Sequence, residues 1–213
     1  MTKVIERYTL LIIGMLALFG VSVQFIISIN RAIAADNSVS QVVINMLGYF
    51  TILTNTFAAA VLTTLGLLPN SKIGKVFSTP EVFGCVVSSM LWVGIGFHLL
   101  LSDYWSPDGM EAVSNYLNHY IVPSSLLLVW LIFPPETQIS KRTPLLWEIY
   151  PVIYGAYIII RGEILDKYPY PFFDINVIGY PKALWNGLVI LIVILGIGYF
   201  VRALVNLSSR LQR

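Results

Sequence analysis

The chain has 213 residues, of which 57% are hydrophobic and 11% are charged, with a formal net charge of +2 and a mean hydropathy of +0.78. Ordinary soluble domains are about 25% charged, so the composition excludes such a domain. It also contains no basic tract that would indicate nucleic-acid binding. The single cysteine, Cys85, excludes an intrachain disulfide.

Apolar stretches recur along the chain at the length that a helix needs to cross a bilayer, which is about 20 residues. Short connections separate them, and several of these contain Pro or Gly. In chain order the six predicted spans are Tyr8–Ile29, Val42–Leu68, Val82–Leu101, Leu117–Phe133, Leu145–Ile160 and Leu184–Leu204. The sequence therefore predicts an all-α, polytopic membrane protein, with residues 1–213 forming a single domain of six transmembrane helices.

The distribution of Lys and Arg predicts the orientation, because cytoplasmic loops carry an excess of these residues. One side of the predicted bundle carries nine of the 13: Lys3, Arg7, Lys72, Lys75, Lys141, Arg142, Arg202, Arg210 and Arg213. The other side carries four: Arg31, Arg161, Lys167 and Lys182. We therefore expect both termini to be cytoplasmic, in a multi-pass protein of the bacterial cytoplasmic membrane.

The first span has an alternative interpretation as a cleaved signal peptide. Two basic residues precede its apolar run, and Ala32-Ile33-Ala34 resembles a small-residue cleavage site. The run is longer than the usual apolar core of about 7–15 residues in such peptides. This length favours an uncleaved anchor.

Polar side chains in the second span fall on one helical face. Thr51, Thr54 and Asn55 are spaced at i, i+3 and i+4. They begin about nine residues below the outer end, or roughly 13 Å at 1.5 Å per residue. Two interpretations are open: hydrogen bonds that pack helices together, or a functional site inside the membrane. The sequence also leaves open which threonine would be the functional one.

The fourth span begins with Asn118 and His119 about one turn inside the same outer surface. Imidazole titrates near neutrality, which suits it to act as a general base. Pro123 removes the backbone hydrogen bond to the carbonyl of His119, so we expect a local distortion there. His98, at the outer end of the third span, has no assigned role. With two histidines and no ligand spacing, we expect no metal and no other cofactor.

The fifth span carries Tyr150, Tyr154, Tyr157 and Arg161 at spacings of four, three and four, which also define one helical face. Aromatic residues are common at membrane interfaces, so a belt of aromatic side chains is one interpretation. Glu163 and Asp174 flank the following loop. We expect ion pairs between these carboxylates and Arg161 to hold the loop over the mouth of the bundle as a lid.

The order of these motifs resembles that of an uncharacterised six-span membrane family of prokaryotes. The resemblance covers nearly the whole chain. It lies in Tyr49-Phe50-Thr51-Ile52-Leu53-Thr54-Asn55, His119-x-x-x-Pro123, Tyr150-Pro151 with Tyr154, Arg161-Gly162, and Tyr168-Pro169-Tyr170-Pro171-Phe172-Phe173-Asp174.

That family is in turn distantly similar to the eukaryotic androgen-induced and androgen-dependent membrane proteins. Those proteins hydrolyse fatty acid esters of hydroxy fatty acids with a Thr and a His inside the membrane. The resemblance implies Thr51 as nucleophile and His119 as base. The eukaryotic motif has an extra residue before its proline, and Thr54 and Asn55 have no role set by the analogy.

The sequence thus predicts an intramembrane hydrolase of fatty acyl esters with an outward-facing cavity. The expected partners are membrane lipids and an amphiphilic acyl ester substrate. Besides Thr51 and His119, the predicted substrate-binding residues are Thr54, Asn55, Asn118, Tyr154, Tyr157, Arg161, Glu163 and Asp174. The alternatives are a lipid- or small-molecule-binding protein, such as a sensor or transporter, and a purely structural protein. Oligomeric state is left open.

Overall fold

The computed structural model describes residues 2–212, and all of their regular secondary structure is helical. The helices are α1 (Thr2–Ala34), α2 (Val39–Met46), α3 (Phe50–Leu67), α4 (Lys72–Phe77), α5 (Pro80–Leu100), α6 (Gly109–Tyr116), α7 (Val122–Ile132), α8 (Thr143–Trp147), α9 (Ile149–Leu165) and α10 (Ile175–Leu211). A π-helical segment, Leu117–Ile121, joins α6 to α7. The predicted all-α fold is therefore confirmed.

Five helical segments are long and apolar enough to cross a membrane: Lys3–Ala34, Phe50–Leu67, Pro80–Leu100, Thr143–Leu165 and Ile175–Leu211. They overlap the first, second, third, fifth and sixth predicted spans. The region of the fourth predicted span is helical but divided, because α6, the π segment and α7 have 8, 5 and 11 residues. None of these three pieces is long enough to cross a bilayer alone.

The second predicted span is interrupted, contrary to the prediction of one helix from Val42 to Leu68. Helix α2 ends at Met46, and α3 begins only at Phe50. The guanidinium of Arg161 packs so closely on Gly48 that an added Cβ would lie 3.0 Å from its Cζ. Thr51 therefore lies in the first turn of α3 instead of about nine residues inside a continuous helix.

Helices α1 and α3 pack closely along their lengths. Leu10, Ile13 and Ala17 of α1 and Leu62 of α3 are among the buried residues of the main apolar core. An added Cβ at Gly66 would lie 2.7 Å from the Cβ of Leu11. Small residues permit such close approach between membrane helices, where packing contributes most of the association energy.

Polar contacts at the two ends of the bundle show that α1 and α3 run in opposite directions. Arg7, near the start of α1, donates to the carbonyl of Gly66 at the end of α3 (3.1 Å). At the opposite end, Arg31 of α1 pairs with Glu111 of α6. We call this second end the site end, because a separate aromatic and apolar cluster there includes residues of α3, α9 and the 166–174 loop.

Candidate functional site

A cavity of about 410 Å³ lies at the site end, and we call it the polar cavity. Helices α1, α2, α3, α5 and α6 contribute to it, together with the π segment and three connecting segments. Its polar and charged lining residues are Gln24, Ser28, Arg31, Asn45, Thr51, Asn115, Asn118 and His119. Three of the predicted site residues, Thr51, Asn118 and His119, therefore meet in one cavity.

His119 lies in the π segment, at the place where Pro123 was expected to distort the helix. Its Nδ1 is 3.0 Å from the carbonyl oxygen of Asn115, and its ring stacks on Phe97 with centroids 3.8 Å apart. A carbonyl can only accept, so Nδ1 carries the proton in the neutral ring and Nε2 keeps its lone pair. Within residues 2–212, Nε2 has no hydrogen-bond partner. The imidazole is thus oriented by one nitrogen and available through the other.

Thr51 is held at the start of α3 by a residue far along the chain. The backbone N–H of Phe50 donates to the hydroxyl of Tyr170 (3.0 Å). Helix α3 has no side-chain cap of its own, so Tyr170 satisfies one N–H group that the first turn cannot. Burial raises the pKa of Tyr170 to about 12, which keeps this hydroxyl protonated at neutral pH.

Asn55 joins α3 to the π segment. Its amide nitrogen donates to the carbonyl of Thr51 (3.0 Å) and to the carbonyl of Asn118 (3.1 Å). These bonds fix the backbone next to both candidate catalytic residues. Thr51 and His119 are not hydrogen-bonded to each other, although their side chains line the same cavity.

Thr54 and Asn55 are fully buried and line neither of the two cavities described here. The Thr54 hydroxyl lies 3.0 Å from the hydroxyl of Tyr150. Both residues therefore serve helix packing, which was one of the two interpretations open from the sequence. Of the two threonines, Thr51 lines both the polar cavity and a second cavity described below, and Thr54 lines neither.

The predicted face of α9 hydrogen-bonds to the break between α2 and α3. The hydroxyl of Tyr154 donates to the carbonyl of Gly48 (2.8 Å), and that of Tyr157 donates to the carbonyl of Leu47 (3.1 Å). We call this set of bonds, completed by Arg161, the α9 ladder. It satisfies carbonyls that the break removes from helical hydrogen bonding.

Arg161 is buried and bonds to oxygen atoms that carry no formal charge. Its guanidinium donates to the carbonyls of Ile44 (2.9 Å) and Lys167 (3.2 Å) and to the side-chain oxygen of Asn45 (3.2 Å). It lines neither cavity, and the same holds for Tyr157. Both residues hydrogen-bond to backbone carbonyls of α2 or of the break that follows it.

The predicted ion pairs of Arg161 with Glu163 and Asp174 were wrong. Glu163 is exposed and accepts a hydrogen bond from Tyr168 (2.8 Å), while Asp174 caps the start of α10 through the N–H of Asn176 (3.1 Å). Neither carboxylate lines the polar cavity or the second cavity described below. Oxygen atoms without formal charge accept hydrogen bonds from both terminal nitrogens of Arg161, while its buried Nε has no partner among residues 2–212.

The sequence analysis missed the ion pair of Arg31 with Glu111, the one salt bridge found in residues 2–212. Its two N···O distances are 2.7 and 2.5 Å, and Glu111 is buried while Arg31 lines the polar cavity. Arg31 was treated only as a loop charge for orientation. The signal available was its place at the outer end of the first span, where a charge can face the bundle.

A second cavity of about 290 Å³ lies between α5, α9 and α10, and we call it the apolar cavity. None of the residues lining it is charged, and Tyr154 is among them. It shares four lining residues with the polar cavity: Thr51, Phe97, Leu101 and Tyr170. Thr51 therefore lies where a polar space meets an apolar one. His98 lines neither space, and its Nδ1 is 3.3 Å from the Tyr120 hydroxyl.

No protein-family model, curated protein or solved structure matches the chain. The all-helical fold of residues 2–212, with five helical segments long and apolar enough to cross a membrane, is that of a membrane protein.

Proposed function

We propose that the protein is a membrane-embedded hydrolase of lipid acyl esters, with Thr51 as nucleophile and His119 as general base. The observation that carries the proposal is that both side chains line one cavity, with Nε2 of His119 unpartnered and its Nδ1 bonded to a carbonyl. The motif resemblance to the Thr/His membrane hydrolases supports the same pair. A threonine hydroxyl becomes an effective nucleophile only when a base removes its proton.

The reaction has two stages. Nε2 of His119 takes the proton from Oγ1 of Thr51 as Oγ1 attacks the ester carbonyl carbon, and the tetrahedral intermediate then expels the alcohol, which receives that proton. A water molecule, deprotonated by the same nitrogen, attacks the acyl-threonine and releases the fatty acid. Thr51 and His119 return to their starting protonation states, so the overall reaction consumes one water for each ester bond.

The start of α3 supplies stabilisation for the oxyanion. The backbone N–H of Ile52, which follows Thr51 and lines the polar cavity, has no protein acceptor within residues 2–212. The positive end of the helix dipole lies at the same turn. Asn55, one of the predicted substrate-binding residues, already donates to two carbonyls. Asn118 donates once, to Ser114 (3.2 Å), and keeps a second N–H.

We further infer six spans with both termini cytoplasmic, in the bacterial cytoplasmic membrane. The additional span is the continuous helical run from Gly109 to Ile132, whose three pieces follow one another without a gap. The excess of Lys and Arg on the side of the termini supports the orientation. In this arrangement the polar cavity lies near the outer surface.

The test is hydrolysis by the purified protein in nanodiscs, with a panel of fatty acyl esters that includes branched esters of hydroxy fatty acids. We expect Thr51→Ala and His119→Ala to lower kcat at least about 100-fold, the usual contribution of a positioned base or nucleophile. The matched controls are Thr54→Ala and His98→Ala, which change the same residue types outside both cavities. No turnover of any ester, or full activity in both site variants, would refute the mechanism.

A second candidate, binding of a lipid without chemistry, is favoured by the absence of a hydrogen bond between Thr51 and the His119 ring, whose polar contact is to the Asn115 carbonyl. Under this alternative the same substitutions weaken ligand binding, and no ester is cleaved. Catalytic hydrogen bonds often tighten only when substrate is bound, so the ester panel distinguishes the two functions.

A further inference from the structure

The apolar cavity opens sideways toward the surface that faces lipid. Three of its lining residues, Val152 of α9 and Leu184 and Leu188 of α10, are 49%, 55% and 49% exposed. Large apolar side chains with this exposure occur along the outer faces of the same helices. In a bilayer these surfaces contact hydrocarbon, so the opening between α9 and α10 leads from the cavity to acyl chains.

The shape of the cavity is that of a groove along the bundle axis. On α10 its lining residues run from Ala183 to Ile194, which corresponds to roughly 16 Å at 1.5 Å per residue. On α9 they run from Pro151 to Ile159, or roughly 12 Å. A single extended hydrocarbon chain has these proportions, whereas a folded polar ligand does not.

Thr51 and Tyr170 lie where this groove meets the polar cavity, because both residues line the two cavities. A chain lying in the groove would place its polar end beside the Thr51 hydroxyl. Moving an alkyl chain from lipid into an apolar groove gains little hydrophobic energy, since both surroundings are hydrocarbon. Selective occupancy therefore requires an amphiphile whose polar end occupies the polar cavity.

We propose that the apolar cavity binds the acyl chain of an ester amphiphile, which enters from the bilayer between α9 and α10. In this proposal the absence of a side chain at Gly155 sets the width of the groove. This inference deepens the proposed hydrolase function and rests on it for the fate of the chain. Gly155 lines the groove, and an added Cβ there would meet no other atom within 4 Å. The first carbon of a larger side chain at this position therefore has open space, and the rest of that side chain would occupy volume in or beside the groove.

The first test measures occupancy without turnover. A non-hydrolysable ether analogue with a diazirine at the end of its alkyl chain is photocrosslinked to Thr51→Ala protein in phosphatidylcholine nanodiscs, and the labelled residues are mapped by mass spectrometry. We expect labels on α5, α9 and α10 within the groove. Adding Gly155→Leu should lower this labelling at least about tenfold, since single methylenes in a pocket are worth that much discrimination.

Gly196→Leu is the matched control. Gly196 lies on α10, an added Cβ there also meets nothing within 4 Å, and it lines neither cavity. Both variants are checked for unchanged thermal unfolding. Three results would overturn the proposal. The labelling could persist in Gly155→Leu, it could fall equally in Gly196→Leu, or the labelled residues could lie outside the groove.

Turnover by protein with Thr51 intact separates this inference from the hydrolase proposal. If esters are cleaved but Gly155→Leu has the same ratio of kcat/KM for long and short acyl chains as wild type, the groove assignment fails and the hydrolase proposal stands. If groove labelling is lost in Gly155→Leu but no ester is cleaved by any form, the groove stands as a lipid site and the hydrolase proposal fails.

Discussion

Replacing Arg161 with methionine is expected to destabilise the fold rather than to remove a substrate contact. The guanidinium donates three hydrogen bonds, to Ile44, Asn45 and Lys167. Hydrogen bonds that involve charged groups contribute about 1.5–3 kcal/mol each. Bonds from one group are not additive, and methionine also removes the cost of burying a charge. We therefore expect a loss of about 3 kcal/mol in the free energy of unfolding, well below the sum of the three.

The other members of the α9 ladder provide graded comparisons. Tyr154 is 8% exposed and Tyr157 is 37% exposed, and each donates one hydrogen bond. Removing the Tyr154 hydroxyl should cost about 1–2 kcal/mol, because it leaves a buried carbonyl unpaired. Removing the Tyr157 hydroxyl should cost about 0.6 kcal/mol, the average for hydrogen bonds between membrane helices.

The assay is equilibrium unfolding of the purified protein in mixed micelles of a mild detergent and increasing SDS. We expect stability to fall in the order wild type, Tyr157→Phe, Tyr154→Phe, Arg161→Met. If Arg161 instead pairs with the head group of a ligand, Arg161→Met would keep wild-type stability and raise KM for acyl esters. That result would refute the structural role assigned to the ladder.

Three further substitutions test other contacts of the site end by the same unfolding assay. Tyr170→Phe leaves the first backbone N–H of α3 unpaired and should cost about 1–2 kcal/mol; unchanged stability would contradict the capping role. Arg31→Met leaves the buried carboxylate of Glu111 without its partner, so it should destabilise, and adding Glu111→Leu should recover much of the loss. If the double variant is no more stable than Arg31→Met, the two residues are not coupled. Gly162→Ala should lower the free energy of unfolding by about 1–3 kcal/mol, because the added methyl overlaps the ring of Tyr168. Unchanged stability would mean that the 166–174 loop moves to make room for the methyl.

Sequence periodicity correctly placed the α9 residues on one face, but not their partners. The side chains from Tyr150 to Arg161, which the spacing placed on one face, all hydrogen-bond to α2, α3 or the break between them. Tyr150 bonds to the Thr54 hydroxyl, whereas Tyr154, Tyr157 and Arg161 bond to backbone carbonyls of residues 44–48, and no local pattern could identify these partners. Carboxylates nearby in sequence were the natural expectation for an arginine, and this expectation failed for Arg161.

The second span illustrates the same limit. The run from Val42 to Leu68 is apolar enough for one helix, yet the chain breaks between Met46 and Phe50. The break depends on side chains from α9 and the 166–174 loop, which satisfy the freed backbone groups. It also divides the predicted polar face, leaving Thr51 at a cavity and Thr54 in the interior.

The sequence by itself determined the apolar helices, their approximate limits and the choice of Thr51 and His119 as polar residues near one end of the bundle. These properties follow from local hydropathy, helical period and side-chain chemistry. Only the tertiary structure decided which of the polar side chains meet in a cavity and which are used in packing. The reason is that helix rotation and depth set these contacts, and the residues involved, such as Phe50 and Tyr170, lie 120 positions apart.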